Sequence, residues 1–226
     1  NGDCGRFLEI WNLVFIQYQR TAPTSLAALP AKHVDTGMGF DRMVSILQNV
    51  DSNYKTDLFM PLIHRTQELA GHTDAEVEEN IVAYRVIADH SRAAAFLIAD
   101  GALPGNVGRN YVLRMILRRA ARFGRKIGFD RPFLSLIADV VIENMGAHYR
   151  ELRDRREHIL YTINDEEKRF FRTLDLGLAK LDDVFVKKAK ELEARPFRNF
   201  ATSMIRQQVD ADIRDELEFA AAQRFT

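Results

Sequence analysis

In the stretch HVDTGMGFDRM, residues 33–43, an acid (Asp35), two glycines (Gly37, Gly39) and an arginine (Arg42) stand close together. A turn from strand to helix can be built without such a combination. Glycine lets a backbone come close to a ligand, and a guanidinium at the start of a helix offers a planar fork of donors suited to phosphate oxygens. The plainer alternative is structural, with Asp35 and Arg42 paired across a tight turn. Taken alone, these residues leave both readings open.

The elements that would position them are legible on either side. FLEIWNLVFIQYQ, residues 7–19, is rich in aromatic and β-branched residues and predicts a strand of about ten residues covered on both faces. Period two puts Leu8, Ile10, Asn12, Val14 and Ile16 on one face, and Phe7, Glu9, Trp11, Leu13 and Phe15 on the other. Asn12 is the polar exception on its face and needs a partner or a ligand. Glu9 falls on the opposite face from Asn12. A loop with Pro23, Ser25 and Pro30 follows, then a short second strand, KHVDTGMG, returning to the first. From Gly39 the period changes: Phe40, Met43, Val44 and Leu47 make a helical stripe predicted to be buried, with Arg42 pointing away from it. Asp57 or Thr56 is predicted to cap the next helix. Helices are then expected over about 58–70, 75–100, 109–125, 131–146 and 151–194, the last with Glu167 as the one polar gap in its apolar stripe and Pro196 as its stop. A further helical segment is expected over 197–226.

Composition excludes several classes. The 226 residues carry 46% apolar and 28% charged side chains, as a folded globular chain does. No apolar run approaches the length of a membrane span, Cys4 can form no internal disulfide, and a cytoplasmic protein is the default expectation. The 32 basic and 32 acidic residues balance. They are unevenly spread, because between Gly101 and Phe129 stand Arg109, Arg114, Arg118, Arg119, Arg122, Arg125 and Lys126 with no acid among them. On a helical wheel Leu113, Ile116, Leu117, Ala120 and Gly124 form the packed side, and Arg114, Arg118, Arg122 and Arg125 a stripe predicted to face a phosphate backbone. The six histidines lack paired ligand spacing, so no metal site, zinc included, is expected.

Four blocks in order, EIWNLVFIQYQ, VDTGMGFDR, NVDSNYKTDLF and ADHSRAAAFLIADGALPGNVGRNYVLRMILRRA, resemble alanyl-tRNA synthetases over roughly residues 2–185. The resemblance implies a class II catalytic sheet followed by a helical tRNA-recognition region. It also implies that Gly37, Gly39 and Arg42 belong to motif 3 and bind ATP, with Arg42 on the phosphates. Asp35 would hold the ammonium group of alanine, Asn12 would contact the amino acid, and Val14 would form a small wall for the methyl side chain; Asp35 and Arg42 are the implied catalytic residues. In the loop LPGNVGRNY, Asn106 matches the asparagine that reads a G·U wobble pair in the tRNA acceptor stem, with Arg109, Arg114, Arg118, Arg119, Arg122 and Arg125 on the backbone. ATP and magnesium are the implied cofactors, and tRNA(Ala) and alanine the implied partners, with no membrane.

Three positions depart from the family pattern. Asp41 stands where a glutamate is usual, one methylene shorter, which predicts a supporting contact out of reach. Met115 replaces an arginine and Asn110 a glycine. Motifs 1 and 2 are not in the sequence, and RPFRNFATSMIRQQ stands where LYDTYGFP is expected. The expectation is therefore a synthetase fragment or split subunit, inactive without an N-terminal catalytic portion; the alternative is a non-catalytic RNA-binding relative. The expected architecture is α+β, mostly α: residues 1–60 from the catalytic domain, 61–195 a helical tRNA-recognition domain, and 196–226 a helical tail.

Overall fold

The computed structural model describes residues 8–193. An antiparallel pair, β1 (Trp11–Ala22) and β2 (Ser25–Met38), precedes the helices α1 (Phe40–Leu47), α2 (Met60–Ala70), α3 (Asp74–Glu79), α4 (Ile81–Ala99), α5 (Gly108–Lys126), α6 (Leu134–Met145), α7 (Arg150–Asp154) and α8 (Arg156–Glu193). This is the mostly helical α+β architecture expected. By its contacts the chain divides after Lys168, within α8. The helical tail expected after Pro196 lies outside the described residues.

The hairpin differs from expectation in two ways. Ser25 to Pro30, read as loop, belongs to β2, because the turn closes at Pro23 and Thr24 and the strands pair directly beyond it. The register slips between Ile16 and Tyr18, opposite a segment that includes Pro30, which has no amide to donate. In addition, β1 is exposed on both faces instead of covered on both; Phe15 is 66% exposed. Alternation of apolar residues reports an affinity for cover, and among the described residues no layer lies over either face.

The stripe predicted for α1 is also turned. Phe40 and Leu47 are exposed, and Ser45 is the buried residue. The side of α1 that carries Asp41 and Ser45 is the shielded one, and Arg42 is exposed as expected. Neither Thr56 nor Asp57 caps α2 with its side chain. The buried Thr56 hydroxyl donates to the Asn53 carbonyl at 2.6 Å, and its own carbonyl receives the Met60 amide.

The core lies in the helices, where α4 packs against α5 and α6. Tyr84, Ile87, Ala88, Ala94, Ala95 and Ile98 of α4 are fully buried, and the alanines let neighbouring helices approach closely. From α5 come Leu113, Leu117, Ala120, Ala121 and Gly124. At Gly124 a Cβ would lie 2.2 Å from the Phe133 ring, so only glycine admits that contact.

Glu167, the polar gap in the α8 stripe, is 1% exposed and ties α8 to the start of α6. Its carboxylate accepts from the amides of Phe133 and Leu134 at 3.0–3.2 Å, donors that no earlier turn of α6 could satisfy. Burial pushes the carboxyl up to about 7, against the pull of the two amides. A folded-state value above the unfolded one makes this contribution to stability full below the ordinary glutamate range and lost as pH rises through about 7. Glu167→Gln, a neutral acceptor, should therefore gain on the parent in melting temperature between about pH 5 and about pH 8. Circular dichroism melts check this; an equal gap between the two proteins at both pH values contradicts it.

Candidate active site and nucleic-acid interface

Strand register assembles the first group of residues. Asn12 lies opposite Gly37 and Val14 opposite Asp35, so all four share one face of the hairpin. A Cβ on Gly37 would sit 3.2 Å from Asn12 Oδ1, and its absence gives the carboxamide room. Gly39 donates its amide to the Ile10 carbonyl at 2.8 Å, which extends the pairing to the start of α1. Arg42 reaches back from α1, where its Nη1 donates to the Glu9 carbonyl at 2.6 Å.

These residues border an open cleft of about 730 Å³ whose hairpin side includes Glu9, Asn12, Gly37, Gly39 and Arg42. Arg92 and Phe96 of α4, Met145 of α6 and Tyr149, just before α7, close the far side. Val14 and Asp35 lie further along the same hairpin face and do not line the cleft. The Asp35 carboxylate is exposed and accepts from the Thr36 amide at 2.8 Å. Glu9 corrects the alternation read from sequence. The strand begins only at Trp11, so Glu9 is not bound to strand alternation, and its carboxylate stands 3.4 Å from Asn12 Nδ2 beside the cleft.

Asp41 provides a second correction. Its shorter side chain does reach a partner, accepting from both terminal nitrogens of Arg92 on α4 at 2.9 and 2.6 Å. The Arg92 guanidinium also lies over the Phe59 ring, 4.1 Å from its centroid. This bidentate pair fastens the start of α1 to the helical core. Arg92 escaped sequence reading because its partner stands some fifty residues earlier; its neighbour His90 is bonded to Asp89 at 2.9 Å. That hydrogen bond holds the Asp89 carboxyl below its ordinary value.

At the second site, two of the four arginines predicted to face a phosphate backbone are engaged within the chain. Arg114 and Arg118 both turn to Glu166 of α8, at 3.2 and 2.9 Å, and Glu166 is 4% exposed. Counting acids within 101–129 could not find this partner, because it comes from more than forty residues further along the chain. The exposed basic side chains of α5 are Arg109, Arg119, Arg122 and Lys126, with Arg125 half-buried. Asn106 is exposed in the loop before α5, and its Oδ1 accepts from Arg114. The loop is tight: Gly105 donates to the Asn110 carbonyl at 3.0 Å, and a Cβ on Gly105 would meet the Asn110 Cβ at 2.8 Å. Gly105 thus makes space for the asparagine at 110. Among the described residues no cluster of histidine, cysteine or acids is arranged to hold a metal ion, and no helix is long and apolar enough to cross a membrane.

An open cleft at a glycine-rich strand-to-helix junction is followed along the chain by a helical region with a basic helix. The chain belongs to the family of class II tRNA synthetases (A), whose model matches residues 1–200. Its relatives are named alanine–tRNA ligase. The one from a Roseiflexus strain is 51% identical over 184 residues, 81% of this chain and 20% of the relative; those from Geobacillus kaustophilus and Lawsonia intracellularis are 49% and 51% identical over 84% of this chain. The chain thus spans about a fifth of the length of the curated relatives it matches.

Of the contacts around the cleft, the Asp41–Arg92 pair is the most readily tested alone. Asp41→Asn leaves a largely shielded guanidinium without its charge partner and should cost about 1–3 kcal/mol, between the values for surface and buried pairs. Urea denaturation followed by far-ultraviolet dichroism measures this, and an unchanged midpoint contradicts the assignment.

Proposed function

We propose that the chain takes part in ATP-dependent activation of alanine and in its transfer to tRNA(Ala), as a fragment or split subunit of an alanine–tRNA ligase. The observation that carries this reading is the shared face of Asn12 and Gly37, continuous with Gly39 and Arg42 around one cleft. Asn12 and Asp35 would hold alanine, the latter through its ammonium group, with Val14 against the methyl. Gly37 and Gly39 would let ATP approach the backbone, and Arg42 would bind its phosphates. In such a reaction the alanine carboxylate attacks the α-phosphorus, pyrophosphate leaves, and the tRNA terminal hydroxyl then takes the alanyl group from the adenylate. The protein's part is positioning and fixed charge.

Magnesium bound with the nucleotide supplies charge neutralisation on its phosphates. The cleft fits it modestly, since Glu9 is a carboxylate at its edge, whereas Asp41 is engaged by Arg92. Magnesium commonly takes only one or two carboxylates beside substrate phosphates. The partner in this reading is the remainder of the catalytic sheet, and the compartment is the cytoplasm, where charged tRNA is used. Asn106 would read the G·U pair in the acceptor stem, with Arg109, Arg119, Arg122 and Arg125 on the backbone and Arg114 and Arg118 supporting. The reach of Asp41 to Arg92 removes one motive for the non-catalytic alternative.

Mixing the chain with the N-terminal catalytic portion of a relative should produce alanine-dependent ATP–pyrophosphate exchange. Arg42→Ala should lower that exchange by roughly 100-fold or more. A folded mixture without exchange, or an Arg42→Ala mixture with full exchange, contradicts the proposal.

A further inference from the structure

Glu166 is almost fully buried, yet neither the cleft nor the α8–α6 tie uses it. Its Oε1 receives Arg118 Nε at 2.9 Å and lies 3.2 Å from Arg114 Nε. The same Arg114 fork reaches the loop before α5, where Nη1 donates to Asn106 Oδ1 and Nη2 donates to the Pro104 carbonyl at 3.1 Å. One carboxylate on α8 therefore fixes a guanidinium on α5, and that guanidinium fixes a carboxamide in a loop. A buried carboxylate held between two arginines has little freedom to move, because separating it from them would leave charge without compensation.

The geometry points to Glu166 as a positioning residue for base recognition, acting through Arg114 to set the orientation of Asn106. This rests on the reading that Asn106 meets the acceptor stem. Arg114 occupies one lone pair of the Asn106 oxygen and holds the side chain's rotation, while the amide group and the second lone pair stay available to base edges. An asparagine held in this way discriminates by geometry, whereas one that rotates can satisfy several base pairs. Glu166 also withdraws Arg114 and Arg118 from general phosphate attraction, which favours specific over non-specific binding.

The test uses the whole chain with Glu166→Gln and Arg114→Lys, in two readouts. The first is the side-chain amide signal of Asn106 by heteronuclear NMR, assigned by its loss in Asn106→Ala. The second is binding to RNA minihelices bearing G·U or G·C at low and moderate salt. Both variants should move or broaden the Asn106 signal and reduce a roughly tenfold preference for G·U to below about threefold. Affinity of Glu166→Gln for the G·C helix should hold or rise at low salt, as guanidiniums released from the carboxylate meet phosphates. An Asn106 signal unmoved in both variants overturns the relay. A moved signal with the preference intact overturns its part in specificity. A parent without any preference overturns the reading of Asn106 as reader, and the amide signal still decides the relay. If Glu166→Gln does not fold, Arg114→Lys carries the test, and Glu166→Asp, which keeps the charge, should retain most of the preference.

Discussion

Antiparallel pairing of Asn12 with Gly37 is the constraint on which the candidate active site depends. A one-residue slip would send Asn12 and Val14 to the face now held by Trp11 and Leu13. Two features oppose a slip. Gly37 leaves room for the Asn12 carboxamide, and the Gly39 amide bonded to Ile10 ties the end of the sheet to the start of α1. Arg42 follows within the first turn of that helix, so the pairing that places Asn12 also sets where the guanidinium can reach.

The hairpin alone could not complete a cleft, and the helices provide the opposite wall. Arg92 joins the two by gripping Asp41 with both ends of its fork while resting on Phe59. Two neighbouring acids of α8 perform comparable work further away, Glu166 on the arginines of α5 and Glu167 on the amides that open α6. Each is buried, and each is compensated by donors from a different helix. Charge inside this protein thus serves to fix the relation between elements more than to add stability.

The helices were legible because their apolar periodicity is long, broken in α8 at Glu167, and Asp35, Gly37, Gly39 and Arg42 stood out as candidates by their types and spacing. The cover on β1 was misjudged because alternation reports only an affinity for burial. Asp41 was expected to fall short because sequence gives the length of a side chain and not the position of Arg92, some fifty residues on. The pairing of Arg114 and Arg118 with Glu166 is hidden from the sequence for the same reason, since Glu166 is distant in sequence and adjacent in space. Local patterns therefore pointed to candidate residues, and long-range partners decided where each side chain points.

The most direct measurement of the register claim is side-chain NMR of the chain, combined with the N-terminal catalytic portion of a relative, during titration with a non-hydrolysable alanyl-adenylate mimic. The account predicts shifts in the Asn12 side-chain amide and the Val14 methyls while the Leu13 methyls, on the opposite face, stay in place. Equal shifts at Leu13, or none at Asn12 and Val14, would contradict it.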